Sequence, residues 1–122
     1  YDGARPTMLT PILDGFVSQF GDAYTNRIHR DDAAEALAAI ILGDHSGRAI
    51  PATLNLNDDE PVKTKDLEAW CFEQLEHEAR GVRENRPRNS RRISNIKLRG
   101  MGVTLTYPSF RDGYLAALQS QC

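Results

Sequence analysis

Residues 25–32, Thr-Asn-Arg-Ile-His-Arg-Asp-Asp, decide the fold because they join an extended segment directly to a helix. The first five residues of this stretch lack helical spacing and predict a short extended segment. Asp31 is typical of a helix N-cap, and the alanine-rich run after it, with acidic residues in its first turn, predicts a helix over residues 32–42. Apolar residues cover most of the circumference of this helix, so we expect it to have neighbours on more than one side.

The same alternation of helical and extended patterns continues on both sides of this stretch. Residues 52–56 (Ala-Thr-Leu-Asn-Leu) alternate as a strand does, and residues 103–107 do the same. The sequence therefore predicts an α/β fold made of helices with a few short strands. The remaining predicted elements are a helix at 6–20, a helix at 65–80, a loop at 81–90, a brief helix from residue 94 or 95 to 100 or 102, and a last helix that a capping box opens at Ser109.

The composition excludes several classes of protein. The chain has 122 residues, of which 40% are hydrophobic and 26% charged, and a formal net charge of -2. These values do not fit a disordered or collagen-like chain. The longest apolar run, residues 36–42, is far shorter than the ~20 residues that span a bilayer. Two cysteines are too few for a disulfide framework, so we expect a cytoplasmic protein with reduced thiols and no membrane contact.

The sequence contains no complete catalytic constellation. It has no Gly-x-Gly-x-x-Gly turn, no Gly-x4-Gly-Lys phosphate loop, no Cys-x-x-Cys pair and no Gly-x-Ser-x-Gly elbow. Its three histidines lack the spacing of metal ligands. We therefore expect no catalytic residue, no bound cofactor and no metal in this chain alone.

Arginines form the candidate binding residues. Arg27 lies in the extended segment at 25–29, whereas Arg91 and Arg92 lie in residues 80–99, a stretch with eight basic residues and one acidic residue. A guanidinium offers a planar fork to two oxygens of a phosphate. The alternative is that Arg27 braces the start of the next helix through hydrogen bonds, and that Arg91 and Arg92 belong to a solvated loop. Spacing alone leaves both interpretations open.

Five segments, in order, resemble motifs of the extended short-chain dehydrogenases/reductases. Residues 1–5 (Tyr-Asp-Gly-Ala-Arg) resemble the family's Tyr-Gly-Pro-Gly-Arg loop, and residues 26–33 (Asn-Arg-Ile-His-Arg-Asp-Asp-Ala) resemble Arg-x-Ile-His-Val-x-Asp-Leu-Ala. Residues 53–61 resemble the strand and turn Tyr-Asn-Val-x-Asp-x-x-Pro. Residues 91–102 are similar to Asn-x-Lys-Leu-x-x-Leu-Gly, and residues 107–113 (Tyr-Pro-Ser-Phe-Arg-Asp-Gly) to Tyr-Pro-Ser-Tyr-Arg-Glu-Gly. The set resembles an atypical branch of the NAD-dependent epimerase/dehydratase group.

The resemblance implies that the chain is one part of a larger enzyme. Such proteins bind NAD or NADP on an N-terminal Rossmann domain and hold a small-molecule substrate, often a nucleotide sugar, with a smaller C-terminal region. Residues 1–122 resemble that C-terminal substrate-binding region, with residues 53–56 as the last strand of the Rossmann sheet. The family's glycine fingerprint and catalytic Tyr-x-x-x-Lys would lie upstream of Tyr1, so the N-terminal Rossmann domain is expected to be absent here.

The same resemblance assigns substrate-binding residues. Arg27 and Arg92 match positions at which related sugar-nucleotide epimerases place phosphate-contacting arginines, and Arg91 is the neighbour of Arg92. We therefore expect the substrate-binding C-terminal fragment of an NAD(P)-dependent epimerase/dehydratase-like oxidoreductase, inactive alone, whose partners are the missing Rossmann domain and the substrate.

An alternative interpretation is a noncatalytic module. The basic stretch from Arg80 to Arg99 would then bind an anionic partner or nucleic acid. Nucleic acid is disfavoured because no aromatic residue lies between Phe72 and Tyr107, and single-stranded binding uses aromatic stacking. A strand at 53–56 without its sheet also predicts pairing between two copies, and hence a homo-oligomer.

Overall fold

The computed structural model describes residues 1–2, 9–87 and 89–119. Within these residues it has five helices and four short strands, so the predicted α/β class is confirmed. The strands form two separate sheets of two strands each. Because such small sheets bury little surface, the packing depends mainly on helices and on segments without regular structure.

The first sheet joins distant parts of the chain. Helix α1 (Leu9–Leu13) is followed by a turn at Gly15, whose φ of 92° glycine adopts without steric cost. Strand β1 (Phe16–Ser18) comes next and pairs in parallel with β4 (Gly81–Arg83). The predicted single helix over 6–20 is therefore wrong in the described residues, because the turn and the β4 partner redirect the chain. Residues 6–8 of that prediction lie outside the described residues.

The second sheet leads into the longest helix. Strand β2 (Tyr24–Thr25) pairs antiparallel with β3 (Val62–Lys63), and helix α2 (Arg30–His45) begins five residues after β2. The N-cap of α2 is His29, whose Nδ1 accepts a hydrogen bond from the backbone amide of Asp31 at 3.1 Å. The predicted N-cap at Asp31 is therefore wrong by two residues, because the helix begins earlier and the imidazole of His29 accepts from the amide of Asp31, which lies in the first turn.

The main apolar cluster lies between α3 (Thr64–Leu75), α5 (Phe110–Gln119) and α1. The capping box predicted at the start of α5 is confirmed: the Ser109 amide donates to Asp112 Oδ2 at 3.1 Å, and the Arg111 amide donates to Ser109 Oγ at 3.0 Å. The buried members of the cluster are Leu9, Ile12, Val62, Leu67, Cys71, Phe72, Phe110, Tyr114 and Leu118.

A second, smaller apolar cluster joins α2 to helix α4 (Ile96–Gly100) and to residues 103–105. Its buried members are Ala36, Leu98, Val103 and Leu105. The buried Asp32 fixes the end of this segment, because its two carboxylate oxygens accept hydrogen bonds from the backbone amides of Thr106 and Tyr107, each at 2.8 Å.

Four further element predictions are wrong. Residues 52–56 and 103–107 form no strand, since neither segment has a ladder partner in the described residues; the alternation at 103–107 still buries one face. The third helix ends at Leu75 rather than near residue 80, because Glu76 takes a left-handed conformation with φ of 55°. Part of the predicted loop at 81–90 is β4, which pairs with β1.

The outer face of α2 is left open. Leu37 is 51% exposed, and Ile41 and Leu42 are each 66% exposed. The expectation that this helix has neighbours on several sides is therefore wrong in this structure, where Ala36 and Ala39 supply its contact with the second cluster. None of the helices in the described part of the chain is both long enough and apolar enough to cross a membrane.

Candidate functional site

Asparagine side chains attach residues 91–95 to Asn26 and to residues 57–59. The Asn26 side chain donates from Nδ2 to the carbonyl of Arg91 at 2.8 Å and accepts at Oδ1 from the amide of Ile93 at 2.9 Å. This pair of bonds imitates one rung of a β-ladder. It fixes the backbone on both sides of Arg92.

Asn57 and Asn95 extend the same attachment. Asn57 Nδ2 donates to the carbonyl of Ile93 at 2.8 Å, and Asn95 Nδ2 donates to the carbonyl of Asn57 at 3.2 Å and to Asp59 Oδ1 at 2.6 Å. Arg99 also forms an ion pair with Asp59, so the charge of this carboxylate is compensated locally. The hydrogen bonds from Arg99 and Asn95 hold the pKa of Asp59 below its usual range.

These attachments form an open polar cleft with a volume of about 310 Å³. Arg92 lies at the cleft with an exposed side chain and, within the described residues, no carboxylate partner. The lining residues are Asp58, Asp59, Pro61, Arg92, Ile93, Ser94 and Asn95. A guanidinium presented in this way is available to an oxyanion.

Arg91 and Arg92 have different surroundings. The Arg91 side chain is exposed and lines none of the cavities described here, while its carbonyl is the acceptor for Asn26. The Arg92 guanidinium lies 5.2 Å from the centre of the Tyr24 ring. Arg92 is therefore the better-positioned member of the predicted pair.

Arg27 occupies a more enclosed position than Arg92. Its Nη2 donates to Thr25 Oγ1 at 2.6 Å, and its side chain also bonds the buried Tyr114. It lines a neighbouring cavity of about 500 Å³ together with Tyr1 and Ile93. Arg27 therefore makes hydrogen bonds of the bracing kind that the structural interpretation expected. The same side chain also lines a cavity, as the binding interpretation requires. Ile93 lines both cavities, so the cavity that Arg27 lines adjoins the cleft that Arg92 lines.

Asp58 is the titratable group most perturbed by this arrangement. Its side chain is 1% exposed, and its Oδ1 accepts from the amide of Glu60 at 3.0 Å. Burial raises the pKa of Asp58 to about 7, and the Glu60 amide and Arg27 oppose that rise. Burial therefore favours the protonated form of this cleft-lining carboxyl.

Two other candidate chemistries find no support in the described residues. The buried Cys71 thiol has its pKa raised to about 12 by burial, which keeps it protonated and a poor nucleophile. In the part of the chain that the structure describes, no three His, Cys, Asp or Glu side chains are grouped so that they could hold a metal ion.

No sequence pattern indicated Asn26, Asn57 and Asn95 as site residues. The asparagines carry no pattern of their own, because their partners lie 36 to 67 residues away.

The fold is similar to that of solved structures. Residues covering 88% of this chain superpose on 42% of a functionally unknown conserved protein from Silicibacter pomeroyi, with a TM-score of 0.66 and 24% identity. Residues covering 93% superpose on 36% of a dTDP-glucose 4,6-dehydratase from Streptomyces venezuelae solved with NAD and TYD bound, with a TM-score of 0.62 and 21% identity. No protein-family model and no curated protein matches the chain.

The fold of the described chain is similar to that of one part of each of these two structures. The identities are below one quarter, so this likeness is one of fold. The chain spans less than half the length of either structure. The resemblance read from the five motifs is therefore confirmed at the level of fold.

Proposed function

We propose that this chain is the substrate-binding part of an NAD(P)-dependent epimerase/dehydratase-like oxidoreductase and that it is inactive alone. The observation that carries the proposal is the placement of Arg92 at an open polar cleft in a fold similar to part of a dTDP-glucose 4,6-dehydratase. That dehydratase was solved with NAD and TYD bound. The ligand proposed for this chain is a small molecule with a phosphate group, such as a nucleotide sugar.

Arg92 is the proposed phosphate contact, with Arg27 and Arg91 in supporting positions. The Asn26 hydrogen bonds fix the backbone on both sides of Arg92, and the Arg92 guanidinium lies 5.2 Å from the centre of the Tyr24 ring, so the side chain loses less freedom when it binds an oxyanion. Arg27 lines the adjacent cavity, and its positive charge favours negatively charged groups nearby, as its lowering effect on the pKa of Asp58 shows. Arg91 adds positive charge at the exposed surface.

The chemistry of the intact enzyme would occur elsewhere. NAD or NADP supplies hydride transfer when bound, and the glycine turn that such a cofactor needs is absent from this sequence. The residues of this chain would therefore bind and orient the substrate against a cofactor held by a Rossmann domain. We assign no catalytic residue to this chain.

The proposed partner is that Rossmann domain, and two features mark the surface it would cover. The outer face of α2 exposes Leu37, Ile41 and Leu42. Within the described residues, the backbone of residues 52–56 makes no hydrogen bond, so it retains the donors and acceptors of a sheet edge. A sheet-bearing partner would satisfy both features.

Calorimetric titration of the chain tests the proposal. We expect no binding of NAD or NADP, and weak binding of a nucleoside diphosphate such as UDP. Arg92→Ala should weaken UDP binding about tenfold, because it removes a charge-assisted hydrogen bond. Arg86→Ala is the matched control: it removes an exposed arginine of the same basic stretch that does not line the cleft. Micromolar NAD binding, or equal UDP affinity in the two variants, would contradict the proposal.

A noncatalytic anion-binding module is the second candidate function. It is favoured by the exposure of Arg86, Arg91 and Arg92 on the same basic stretch. Under this function the chain would bind an oligonucleotide or acidic protein with an affinity that falls steeply as salt rises. Arg86→Ala and Arg92→Ala would then weaken binding equally, because a distributed charge interaction has no preferred arginine.

A further inference from the structure

A buried histidine caps the longest helix and lies between two aromatic rings. His29 is 5% exposed and directly precedes α2. Its ring stacks on the ring of Tyr107 with the two centres 3.8 Å apart, and it makes an edge contact with the ring of Tyr1 at 5.2 Å between centres. The imidazole is therefore enclosed on two sides, where a charge on it is poorly hydrated.

The capping bond requires a neutral His29 ring. Nδ1 accepts a hydrogen bond from the Asp31 amide at 3.1 Å, and a ring nitrogen that accepts a hydrogen bond carries no proton. Protonation makes both ring nitrogens donors, so the same contact then places one N–H opposite another N–H. The cap consequently exists in the neutral Nε2–H tautomer and is lost in the imidazolium.

The first turn of α2 also holds the segment that leads into α5. Asp32 accepts hydrogen bonds from the amides of Thr106 and Tyr107, each at 2.8 Å, while the His29 ring covers the Tyr107 ring. The helix start and residues 106–107 are thus joined by two hydrogen bonds and one ring stack. An opened first turn no longer holds that segment in place.

Burial lowers the pKa of His29 below its usual 6.5. Besides the two tyrosine rings, charged groups face the imidazole and act in both directions. Asp31, with a carboxylate oxygen 3.9 Å from Nδ1, and Asp32 favour the imidazolium, whereas the amino group of Tyr1 and the guanidinium of Arg30 disfavour it. The net effect is a ring that resists protonation as long as the turn stays closed.

We propose that His29 is a pH-sensitive cap: acidification protonates its ring, opens the first turn of α2 and releases residues 106–107. The opened turn exposes the ring to water, where a histidine has a pKa of about 6.5. The opened state therefore binds a proton that the closed state excludes, and its population rises as pH falls through that value. At about pH 5.5 the opened population is up to about tenfold larger than near neutral pH.

Hydrogen exchange of the intact chain, followed by NMR at about pH 7.5 and about pH 5.5, tests this device. Each exchange rate is divided by the rate of an unstructured amide at the same pH. The Asp31 amide should lose up to about tenfold of its protection at the lower pH, and the Tyr107 amide should lose protection in parallel. The amides of α3, which packs in the other apolar cluster, report global unfolding and should show no such loss.

Two histidine variants assign the effect to one ring. Asparagine is a favourable N-cap with an oxygen acceptor and no proton to gain in this pH range, so His29→Asn should give the Asp31 amide equal protection at both pH values. His77→Asn is the matched control, because it replaces an exposed histidine beyond the end of α3. It should retain the loss of protection seen in the natural chain.

The nitrogen NMR spectrum of the natural chain supplies a test that needs no variant. At about pH 7.5, Nδ1 of His29 should have the chemical shift of an unprotonated nitrogen and Nε2 that of a protonated one. A proton on Nδ1 at this pH would overturn the inference.

Two exchange results would overturn it as well. Unchanged protection of the Asp31 amide at about pH 5.5 would mean that the turn stays closed, either with a neutral ring or with an imidazolium held by the Asp31 carboxylate. An equal loss of protection in His29→Asn and in the natural chain would assign the pH dependence to another group.

Discussion

Asn26 takes the place of a strand partner for Ile93. Its Oδ1 accepts from the Ile93 amide at 2.9 Å, while its Nδ2 donates to the carbonyl of Arg91 at 2.8 Å. Residues 91–93 have no regular secondary structure, and Asn26 fixes them although it lies 65 and 67 residues away from its two partners in the sequence. The position of Arg92 depends on this one side chain more directly than on any helix or strand.

Asn26→Ala should destabilise the chain and loosen residues 91–93. Removal of the amide leaves the Ile93 N–H and the Arg91 carbonyl without their partner, at a cost of about 1–3 kcal/mol in the free energy of unfolding. Urea unfolding measures the loss, and hydrogen exchange of the Ile93 amide should become faster. Asn89→Ala, at an exposed asparagine in the same segment, is the control and should change stability by less than about 0.5 kcal/mol. Equal stability of the two variants would contradict the role of Asn26.

The buried Asp58 should make stability depend on pH. Its pKa is raised from 3.8 to about 7 in the folded chain, so between these values the folded state binds more protons than the unfolded state. The free energy of unfolding should therefore fall as pH rises from about 4 to 7, by up to about 4 kcal/mol from this group. The contribution is fully present below the unfolded pKa and is lost as pH rises through the folded pKa.

Asp58→Asn isolates this effect. An asparagine oxygen can still accept the Glu60 amide, but it does not titrate. Urea unfolding from pH 4 to 8 should show a smaller decline for the variant than for the natural chain. Parallel pH profiles would show that Asp58 is not responsible.

Cys71 should be unreactive until the chain unfolds. The thiol is fully buried and its pKa is raised to about 12, so both access and the thiolate form are missing near neutral pH. The test uses the Cys122→Ser variant, so that Cys71 is the one thiol that iodoacetamide can label. Labelling with iodoacetamide at pH 8 should be slow in buffer and fast in urea. Rapid labelling in buffer would mean that α3 opens readily.

An exposed apolar side chain on α2 and a buried one on α4 should contribute very differently to the free energy of unfolding. Ile41 is 66% exposed, so Ile41→Ser should change the free energy of unfolding by less than about 0.5 kcal/mol. Leu98 is fully buried in the second cluster, so Leu98→Ala should cost about 2–5 kcal/mol. Urea unfolding of both variants gives the comparison. A large loss in Ile41→Ser would mean that the outer face of α2 is already covered in solution, by a second copy of the chain.

Local patterns predicted some of these elements correctly. The capping box at Ser109 places the start of α5, because its two hydrogen bonds join residues only two and three positions apart. The short helix α4 also lies where the sequence predicts it. Both helices depend on interactions between residues a few positions apart, and such interactions can be predicted from the sequence.

Other elements depend on partners that are distant in sequence. Residues 16–18 form a strand rather than part of a helix because Gly81–Arg83 lies alongside them. Residues 52–56 have a strand pattern and form no strand, since a strand exists only where another segment accepts its hydrogen bonds. No local pattern reports whether such a partner is present.

The candidate site also has features that the sequence predicts and features that depend on contacts between distant residues. The sequence by itself determined which arginines could meet an anion and that the chain has an α/β fold, because charge and residue periodicity are properties of the residues. Only the tertiary structure decided that Arg92 shares the Tyr24 ring with Lys63 and faces an open cleft, while Arg27 turns toward Thr25 and Tyr114. The reason is that these contacts cross tens of residues and depend on backbone hydrogen bonds made by asparagine side chains, whose partners no spacing rule specifies.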